Sequence, residues 1–519
     1  MLETKTVSEI INHLKSKDLS IKEVIEYYLN NIEKLNPKIN SIVSIKNKNE
    51  IIEEAEKKSN TKFCGLPIAV KDLSIKEMIE YYLNNIEKLN PKINSIVSIK
   101  NKKEIIEEAE KKSNTKFCGL PIAVKDLSDV VGFPTTYGYP GTKNYNPKKN
   151  SLFVDKLLEA GITIIGKTNT AELGVGGQTI NRLFGPTSNV YDISKCAAGS
   201  SGGASTAVAS GMLPFADGTD QMGSCRAPAA FANIYGFRPT TGLIASDRSF
   251  QDPNIPVLTT PGCFAKTPED MSLLLDSIVG SNNNDPLSFD LDNKFEFSNL
   301  TDKEFSKIKL VLLEDVIEKY PFEKGIIEMC KNKLNKLRDH VKVEFINSKL
   351  KTSDIWDSWT CFRAKGIFND TKNMQIQNIN DMTEQAIWEY NKGSKINDDD
   401  IKIAFDKKNK TLIQIEEIFK KFDFILLPSS QVFPFNKNTQ YPKKINDQEL
   451  DTYHRWLEVF IISSLFDLPT LTVPIGFDEN GNPMGLQIIA KKGDDLKLIS
   501  FAKTYEKIYK YSDIKAKFK

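Results

Sequence analysis

Two short glycine- and serine-rich stretches hold the residues of this sequence best suited to chemistry. The first reads Gly-Ser-Ser-Gly-Gly over residues 199–203, and the second reads Gly-Ser-Cys-Arg over residues 223–226. A serine hydroxyl is a weak nucleophile that needs an adjacent base. Histidine is the usual base, but the chain contains only His13, His340 and His454. A lysine must therefore be considered as the base.

A lysine can act as a base only when its amine is neutral. Its reference pKa of about 10.4 keeps it protonated, and a shift of about three units requires roughly 4 kcal/mol of differential interaction. Burial away from a carboxylate lowers the pKa. Lys125 follows the apolar hexapeptide 119–124 and could be buried in this way, provided that its neighbour Asp126 points elsewhere. Lys71 follows the same hexapeptide in its first copy, but a different segment comes next, so we expect an ordinary surface lysine there.

The stretch at 199–203 has several possible interpretations. Its G-x-S-x-G spacing matches the nucleophile elbow of α/β-hydrolases with Ser201 as the nucleophile, but that elbow follows a buried strand, and residues 192–198 do not form a strand pattern. A phosphate-binding loop would need the spacing G-x-x-x-x-G-K-[ST]. A packing turn without chemistry would be the default interpretation of an isolated motif of this kind. The surrounding motifs favour a fourth interpretation.

An ordered series of motifs surrounds both stretches and extends to the C-terminal part of the chain. Together they resemble the amidase signature family, and the resemblance covers roughly residues 71–510. The series reads Gly-Leu-Pro-Ile-Ala-Val-Lys-Asp (119–126), Gly-Phe-Pro-Thr-Thr (132–136), Gly-Lys-Thr-Asn-Thr-Ala-Glu-Leu (166–173), Phe-Gly-Pro-Thr-Ser-Asn (184–189), Gly-Ser-Ser-Gly-Gly (199–203), Gly-Thr-Asp-x-x-Gly-Ser-x-Arg-x-Pro-Ala (218–229), Gly-Phe-Arg-Pro-Thr-Thr-Gly (236–242), Leu-Pro-x-Leu-x-Val-Pro (468–474) and Pro-Met-Gly-Leu-Gln (483–487).

The resemblance implies a catalytic triad. Ser224 corresponds to the nucleophile that forms the acyl-enzyme, and Lys125 corresponds to the base. Ser200, which lies 24 residues before Ser224, corresponds to the bridging serine that follows a cis peptide bond. No cofactor and no metal ion are expected.

The resemblance also implies the surroundings of the triad. The backbone amides of Gln221, Met222 and Gly223, with that of Ser224, would form the oxyanion hole. Gln178 and Thr179 occupy positions where relatives line the acyl pocket, so we expect them to contact substrate.

One departure from the family affects this loop. The usual Asp-Thr-Gly-Gly-Ser reads Asp-Gln-Met-Gly-Ser over residues 220–224. Met222 replaces a glycine, and a positive φ there would be strained. We therefore expect a narrower pocket or a reduced activity.

A near-perfect duplication precedes these motifs. Residues 17–70 and 71–124 differ only at Val24 against Met78 and Asn49 against Lys103. Each copy predicts two helices followed by a strand. Ser20 and Glu23 predict a capping box at the first helix of copy one, and the Asn-Pro pairs at 36–37 and 90–91 predict its end in each copy. Only one copy can fill a given position in a sheet, and copy two is contiguous with the downstream motifs.

The alternation of helical and strand patterns predicts an α/β protein. The resemblance implies a large mixed central β-sheet with helices on both faces and a smaller helical C-terminal lobe. We expect N-terminal helices with the duplicated segment over 1–70 and an amidase domain over 71–510. Within that domain the signature core spans about 115–280 and the C-terminal lobe about 307–510.

Composition excludes several classes of partner. The chain has 70 Lys and Arg against 68 Asp and Glu, a net charge of +2, so no general attraction to nucleic acid or to an anionic membrane is expected. Its seven cysteines contain no CxxC pair, which favours neither disulfides nor zinc and fits a cytoplasmic protein. We find neither a signal peptide nor an apolar run of about 18 residues. The expected partner is a small-molecule amide, with a homodimer possible.

These observations predict an amidase that hydrolyses the carbon–nitrogen bond of a small carboxamide to a carboxylate and ammonia through a serine acyl-enzyme. Two alternatives stay open. One is the glutaminase subunit of a tRNA-dependent amidotransferase, which carries the same signature. The other is a catalytically impaired protein with the amidase fold.

Overall fold

A computed structural model describes residues 7–39, 48–57, 74–247, 252–296, 298–374, 376, 378–514 and 516. The chain divides into two compact units, Met1–Ser74 and Ile75–Lys519. The strand predicted over residues 65–70 of copy one lies outside the described residues.

The described residues of the first unit form the helices α1 (Val7–Lys15), α2 (Ile21–Ile39) and α3 (Lys48–Lys57). The capping box at the start of α2 is confirmed, because the Ser20 amide donates to Glu23 Oε2 at 2.8 Å and the Glu23 amide donates to Ser20 Oγ at 3.2 Å. Ile10 and Val24 are buried against each other, so α1 and α2 share a small apolar core.

The second unit contains the other helices and all the described strands. Its helices are α4 (Ile75–Ile93), α5 (Lys102–Glu110), α6 (Leu152–Glu159), α7 (Gly202–Ala209), α8 (Arg226–Ala232), α9 (Pro268–Ile278), α10 (Asp302–Phe305), α11 (Glu314–Lys319), α12 (Ile326–Leu337), α13 (Thr352–Asn373), α14 (Glu384–Gly393), α15 (Asp398–Phe419), α16 (Ile461–Leu465) and α17 (Asp495–Tyr509). Its strands are β1 (Ile96–Ile99), β2 (Pro121–Lys125), β3 (Thr163–Thr168), β4 (Phe215–Asp220), β5 (Tyr235–Arg238), β6 (Thr260–Ala265), β7 (Lys309–Leu313), β8 (Lys342–Ile346), β9 (Phe424–Pro428), β10 (Lys444–Ile445), β11 (Gln448–Glu449), β12 (Thr470–Phe477) and β13 (Pro483–Ala490).

An eight-stranded mixed sheet forms the centre of this unit, and the predicted α/β class is confirmed. Its strand order is β4-β6-β5-β12-β13-β9-β7-β8. Neighbouring strands from β4 to β9 are antiparallel, whereas β7 is parallel to both β9 and β8. A smaller three-stranded sheet has the order β1-β3-β2. Nearly every residue of β2, β4, β9 and β13 is buried, as expected for strands covered by other elements.

Copy two of the duplicated segment belongs to the core of this second unit. Its α4, β1, α5 and β2 supply buried residues that include Ile79, Ile93 and Ile105. The predicted helix ends at Asn36-Pro37 and Asn90-Pro91 are both wrong, because α2 continues through Pro37 to Ile39 and α4 through Pro91 to Ile93. Pro91 lacks an N–H and removes one backbone hydrogen bond from the last turn of α4, whose final residue, Ile93, is buried in the core. The helix ends instead where Asn94 takes a left-handed φ of 60°.

The region from 307 to 510 contributes both sheet and helix. Its strands β7, β8, β9, β12 and β13 join β4, β5 and β6 in the large sheet. Its long helices are α13, α14 and α15, between residues 352 and 419, and α13 packs against both of the others. Over the residues that the structure describes, no helix is both long and apolar enough to cross a membrane.

Candidate active site

Lys125 is the last residue of β2, and its side chain is completely buried. Its Nζ atom lies 2.8 Å from Ser200 Oγ, 2.7 Å from Ser201 Oγ and 2.8 Å from Thr219 Oγ1. The amine is therefore surrounded by three hydroxyl groups, and no carboxylate lies within ion-pair distance of it among the described residues.

Burial lowers the pKa of Lys125 to about 8, and the negative charges of Asp217 and Asp220 only partly oppose this shift. Asp217 Oδ1 accepts the backbone N–H of Lys125 at 2.9 Å rather than its amine. Burial also raises the pKa of Asp217 to about 6. The environment thus shifts the amine toward its neutral form and leaves a minor neutral population near pH 7.

Asp126 points away from the Lys125 amine, as the sequence argument required. Its carboxylate accepts hydrogen bonds from the backbone amide of Thr136, at 3.1 Å, and from the Thr136 hydroxyl. Its Oδ1 atom also lies 3.7 Å from Nζ of the buried Lys167. Asp126 therefore neutralises a different lysine and leaves Lys125 without a counter-ion.

The Gly-Ser-Ser-Gly-Gly stretch forms a turn that enters α7. The peptide bond between Gly199 and Ser200 is cis, as the resemblance implies. Thr179 supports this turn, because its hydroxyl donates to the carbonyl of Ala198 at 2.8 Å and accepts the amide of Gly202 at 2.8 Å. No strand directly precedes the turn, so it is not the nucleophile elbow of an α/β-hydrolase.

The two predicted substrate contacts, Gln178 and Thr179, are both almost completely buried. The Gln178 amide nitrogen donates to the carbonyl of Lys437 at 2.9 Å. A Cβ atom at Gly199 would lie only 2.7 Å from the backbone of Gln178, so this glycine allows the two segments to approach closely. Their role in substrate binding stays a prediction.

Ser224 lies in the loop between β4 and α8, with 8% of its surface exposed. Asp220 organises this loop: its carboxylate accepts the amides of Gly223 and Cys225, both at 3.0 Å, and pairs with Arg226 at 2.8 Å. Burial alone would raise the pKa of Asp220, but the charges of Arg226 and Arg238 and the hydrogen bonds to the carboxylate together outweigh it, and the pKa is lowered. Asp220 is therefore a fixed anion, and Arg226 anchors the loop as expected.

The structure brings Ser200 to Lys125 but does not connect either residue directly to Ser224. Among the described residues none lies within hydrogen-bonding distance of the Ser224 hydroxyl. The Gly223 amide is already bonded to Asp220, whereas the amides of Gln221, Met222 and Ser224 have no acceptor in the described part of the chain.

The positive φ in this loop belongs to Gly223, at 87°, and not to Met222. The expectation of strain at Met222 is therefore wrong. A Cβ atom at Gly223 would lie 2.5 Å from the ring of Phe460, so this position needs glycine on two grounds. The Met222 side chain is 5% exposed and belongs to the hydrophobic core.

The three histidines lie elsewhere. His454 is enclosed by aromatic rings, and burial lowers its pKa well below the ordinary value. His340 packs against Tyr509, and His13 pairs with Asp18 in the first unit. The rings around His454 belong to Trp356, Trp359, Trp388 and Tyr453.

Sequence reasoning missed two neighbours of the Lys125 amine, Ser201 and Thr219, and the residue that holds its backbone, Asp217. The strand pattern of β4 could have suggested Thr219 and Asp217. These two residues are two positions apart in a strand, so their side chains must share one face of it. Nothing in the local pattern indicates that this face meets the end of β2.

A small cavity of about 50 Å³ adjoins Gln221 of the loop between β4 and α8. Its lining combines apolar and polar residues. The apolar ones are Ile255, Pro256, Val257, Leu258, Phe362 and Gly366, and the polar ones are Asp252, Thr259, Asn369 and Asp370.

Comparisons with known proteins agree with this geometry. The Amidase family profile matches residues 77–499. The glutamyl-tRNA(Gln) amidotransferase of Sulfolobus acidocaldarius has a subunit that is 28% identical over 478 residues, covering 86% of this chain and 97% of that protein. An acylamidase of Rhodococcus erythropolis is 29% identical over 496 residues, covering 86% and 95% respectively. The crystal structure of a bacterial aryl acylamidase superimposes with a TM-score of 0.77 and 24% identity, covering 85% of this chain and 95% of that one.

The fold and the family match define the class of protein: it is a hydrolase that acts on amide carbon–nitrogen bonds. The chain belongs to the amidase signature family.

Proposed function

We propose that this chain hydrolyses a small carboxamide to a carboxylate and ammonia through an acyl-enzyme on Ser224. The observation that carries the proposal is the buried Lys125 amine, which lies 2.8 Å from the Ser200 hydroxyl and has no carboxylate partner among the described residues. A buried amine without a counter-ion is the form of lysine that can accept a proton near neutral pH.

The reaction would begin with proton transfer from Ser200 to the neutral Lys125 amine, while Ser200 takes the proton of Ser224. The Ser224 oxygen attacks the carbonyl carbon of the amide, and loop amides such as those of Gln221 and Met222 stabilise the oxyanion. The proton returns through Ser200 to the leaving nitrogen, so that ammonia departs. Water then hydrolyses the ester on Ser224 and releases the carboxylate.

Titration with a fluorophosphonate probe tests this assignment. The wild-type protein should be labelled once per chain and the Ser224→Ala variant should not, because the probe reacts with an activated serine. Labelling that persists in Ser224→Ala would place the nucleophile elsewhere. A folded wild-type protein that takes no label would support the catalytically impaired alternative.

The cavity beside Gln221 favours a small alkyl group on the substrate, because its volume is only about 50 Å³. Its apolar wall, which includes Ile255, Leu258 and Phe362, suits such a hydrocarbon group. The described residues that line it include no Lys, Arg or His, so a substrate carboxylate would find no cationic partner in this wall. Ammonia release from a series of alkyl and aryl carboxamides would measure the preference.

A second candidate is the glutaminase subunit of a tRNA-dependent amidotransferase. It is favoured by the resemblance to the archaeal amidotransferase, which extends over 97% of the matching protein's length. Free glutamine as the best substrate, together with co-purification of two further subunits, would establish this candidate. Rapid hydrolysis of an aryl amide by the isolated chain, with glutamine left intact, would exclude it.

A further inference from the structure

The side chain of Gln221 connects the loop between β4 and α8 to the helical part of the second unit. Gln221 is the first residue after β4 and lies three residues before Ser224. Its Oε1 atom accepts a hydrogen bond from Nη1 of Arg363, which lies in α13 and is 142 residues away in sequence. Gln221 is also one of the two residues by which this loop departs from the usual Asp-Thr-Gly-Gly-Ser.

Arg363 is held rigidly at the other end of this bond. It is 3% exposed, and its Nε donates to Glu389 Oε1 at 2.6 Å. Its Nη2 donates to the Tyr453 hydroxyl at 3.1 Å, and that hydroxyl donates in turn to Glu389 Oε1 at 2.5 Å. The guanidinium also lies 5.1 Å from the ring centroid of Trp359. All three nitrogens of the guanidinium are therefore engaged, so its position is well defined.

The rest of the loop is fixed by a separate group. Asp220 holds the amides of Gly223 and Cys225, and the Arg226 side chain ties Asp220 to the core. Neither of these contacts reaches the amides of Gln221 and Met222. The Gln221 amide belongs to the same peptide unit as the Asp220 carbonyl, which accepts a hydrogen bond from Nη1 of the buried Arg238. Within the described part of the chain, the side-chain hydrogen bond to Gln221 itself is the one from Arg363.

We propose that Arg363 is a positioning residue that acts through Gln221. Arg238 holds the peptide between Asp220 and Gln221 through its carbonyl, and Arg363 adds a second constraint by holding the Gln221 side chain. The two together orient the Gln221 and Met222 amides, which have no acceptor among the described residues. This inference rests on the proposed function, in which those amides stabilise the oxyanion formed when Ser224 attacks. The substitution of glutamine for the usual threonine supplies a side chain long enough to accept from α13.

The test compares Gln221→Met, which removes the acceptor at similar size, with Gln221→Glu, which keeps it. Gln221→Met should lower kcat about tenfold to a hundredfold with KM changed by less than about twofold, because an interaction that matters only in the transition state is lost. Gln221→Glu should keep kcat within about threefold of the wild type. The rate of fluorophosphonate labelling should fall in parallel with kcat, since the phosphonyl oxygen needs the same amides.

A double-mutant cycle with Arg363→Lys isolates the bond, because Lys keeps a positive charge beside Glu389 while losing the fork that reaches Gln221. Once Gln221→Met is present, the addition of Arg363→Lys should lower kcat little further. Gln385→Met, which removes a 3.4 Å hydrogen bond to Gln440 within the same helical part, should leave kcat unchanged.

An unchanged kcat in Gln221→Met, a rise in KM alone, or an equal loss in Gln221→Glu would each overturn the inference. Ser224→Ala separates this failure from a failure of the proposed function. If Ser224→Ala is inactive while Gln221→Met is fully active, only the positioning role is wrong. If Ser224→Ala keeps its activity, the proposed function itself is wrong.

Discussion

Among the residues that the structure describes, Lys125 and Lys167 have completely buried side chains, and their surroundings differ. Lys167 has the carboxylate of Asp126 at 3.7 Å, whereas the Lys125 amine is surrounded by the hydroxyls of Ser200, Ser201 and Thr219. A carboxylate favours the charged form of a lysine, and hydroxyl groups can donate to a neutral amine as well as accept from a charged one. Burial lowers the pKa of both lysines, and the charge of Asp126 opposes this shift at Lys167. Lys125, whose amine has no carboxylate at such a distance, is the better suited of the two to serve as a base.

The activity should depend on the protonation of Lys125. Because its pKa is lowered to about 8, roughly a tenth of the amines are neutral at pH 7. We expect kcat/KM to rise about tenfold per pH unit below pH 8 and to level off above it, since only the neutral amine accepts a proton. A pH–rate profile of the wild-type protein measures this directly.

The test variant is Lys125→Met and its matched control is Lys71→Met. The same six residues precede both lysines. Lys125→Met should lower kcat/KM by about a thousandfold, and Lys71→Met should have no effect. A Lys125→Met variant of normal activity, or a flat profile between about pH 6 and pH 9, would contradict the assignment of Lys125 as the base.

Ser200 and Ser201 lie almost equally far from the Lys125 amine, at 2.8 and 2.7 Å, so distance alone does not identify the relay. Ser201 Oγ also lies 3.3 Å from the carbonyl of Thr219, which suits a supporting role. We expect Ser201→Ala to lower kcat/KM about tenfold, the cost of one lost hydrogen bond to an orienting group. Ser200→Ala should cost about a thousandfold. The opposite order of the two losses would make Ser201 the relay.

At the scale of elements, the loop between β4 and α8 combines a required glycine with a buried methionine. Met222→Ala should lower the free energy of unfolding by about 2–5 kcal/mol, because it leaves a cavity in the hydrophobic core. It should not raise kcat.

Gly223→Ala should abolish labelling of Ser224, because the left-handed φ of Gly223 and the Phe460 ring both exclude a Cβ atom there. Urea denaturation and probe labelling of the two variants check these outcomes. A Met222→Ala protein that is more active than the wild type would show that Met222 obstructs the pocket.

At the scale of the whole molecule, all the residues of the candidate site belong to the unit Ile75–Lys519. Copy two supplies β2 up to Val124, and Lys125 follows it directly, so none of the described residues of the site comes from copy one. We expect deletion of residues 17–70, which joins Ser16 directly to Lys71, to leave kcat and KM unchanged. Steady-state kinetics and circular dichroism of the shortened chain test this. A shortened chain that keeps its fold but loses its activity would show that copy one is integral to the enzyme.

The sequence by itself determined the α/β class, the family, the strand that ends at Lys125 and the capping box at Ser20. Each of these depends on local spacing or on an ordered series of motifs, which can be recognised without knowing distant contacts. Only the tertiary structure decided which hydroxyls surround the Lys125 amine, that Asp126 pairs with Lys167, and that Arg363 reaches Gln221. Those contacts join residues tens to hundreds of positions apart, and they depend on how the strands and helices pack. The sequence also misplaced the ends of α2 and α4, because local propensity disfavours a proline within a helix and tertiary packing can override such a preference.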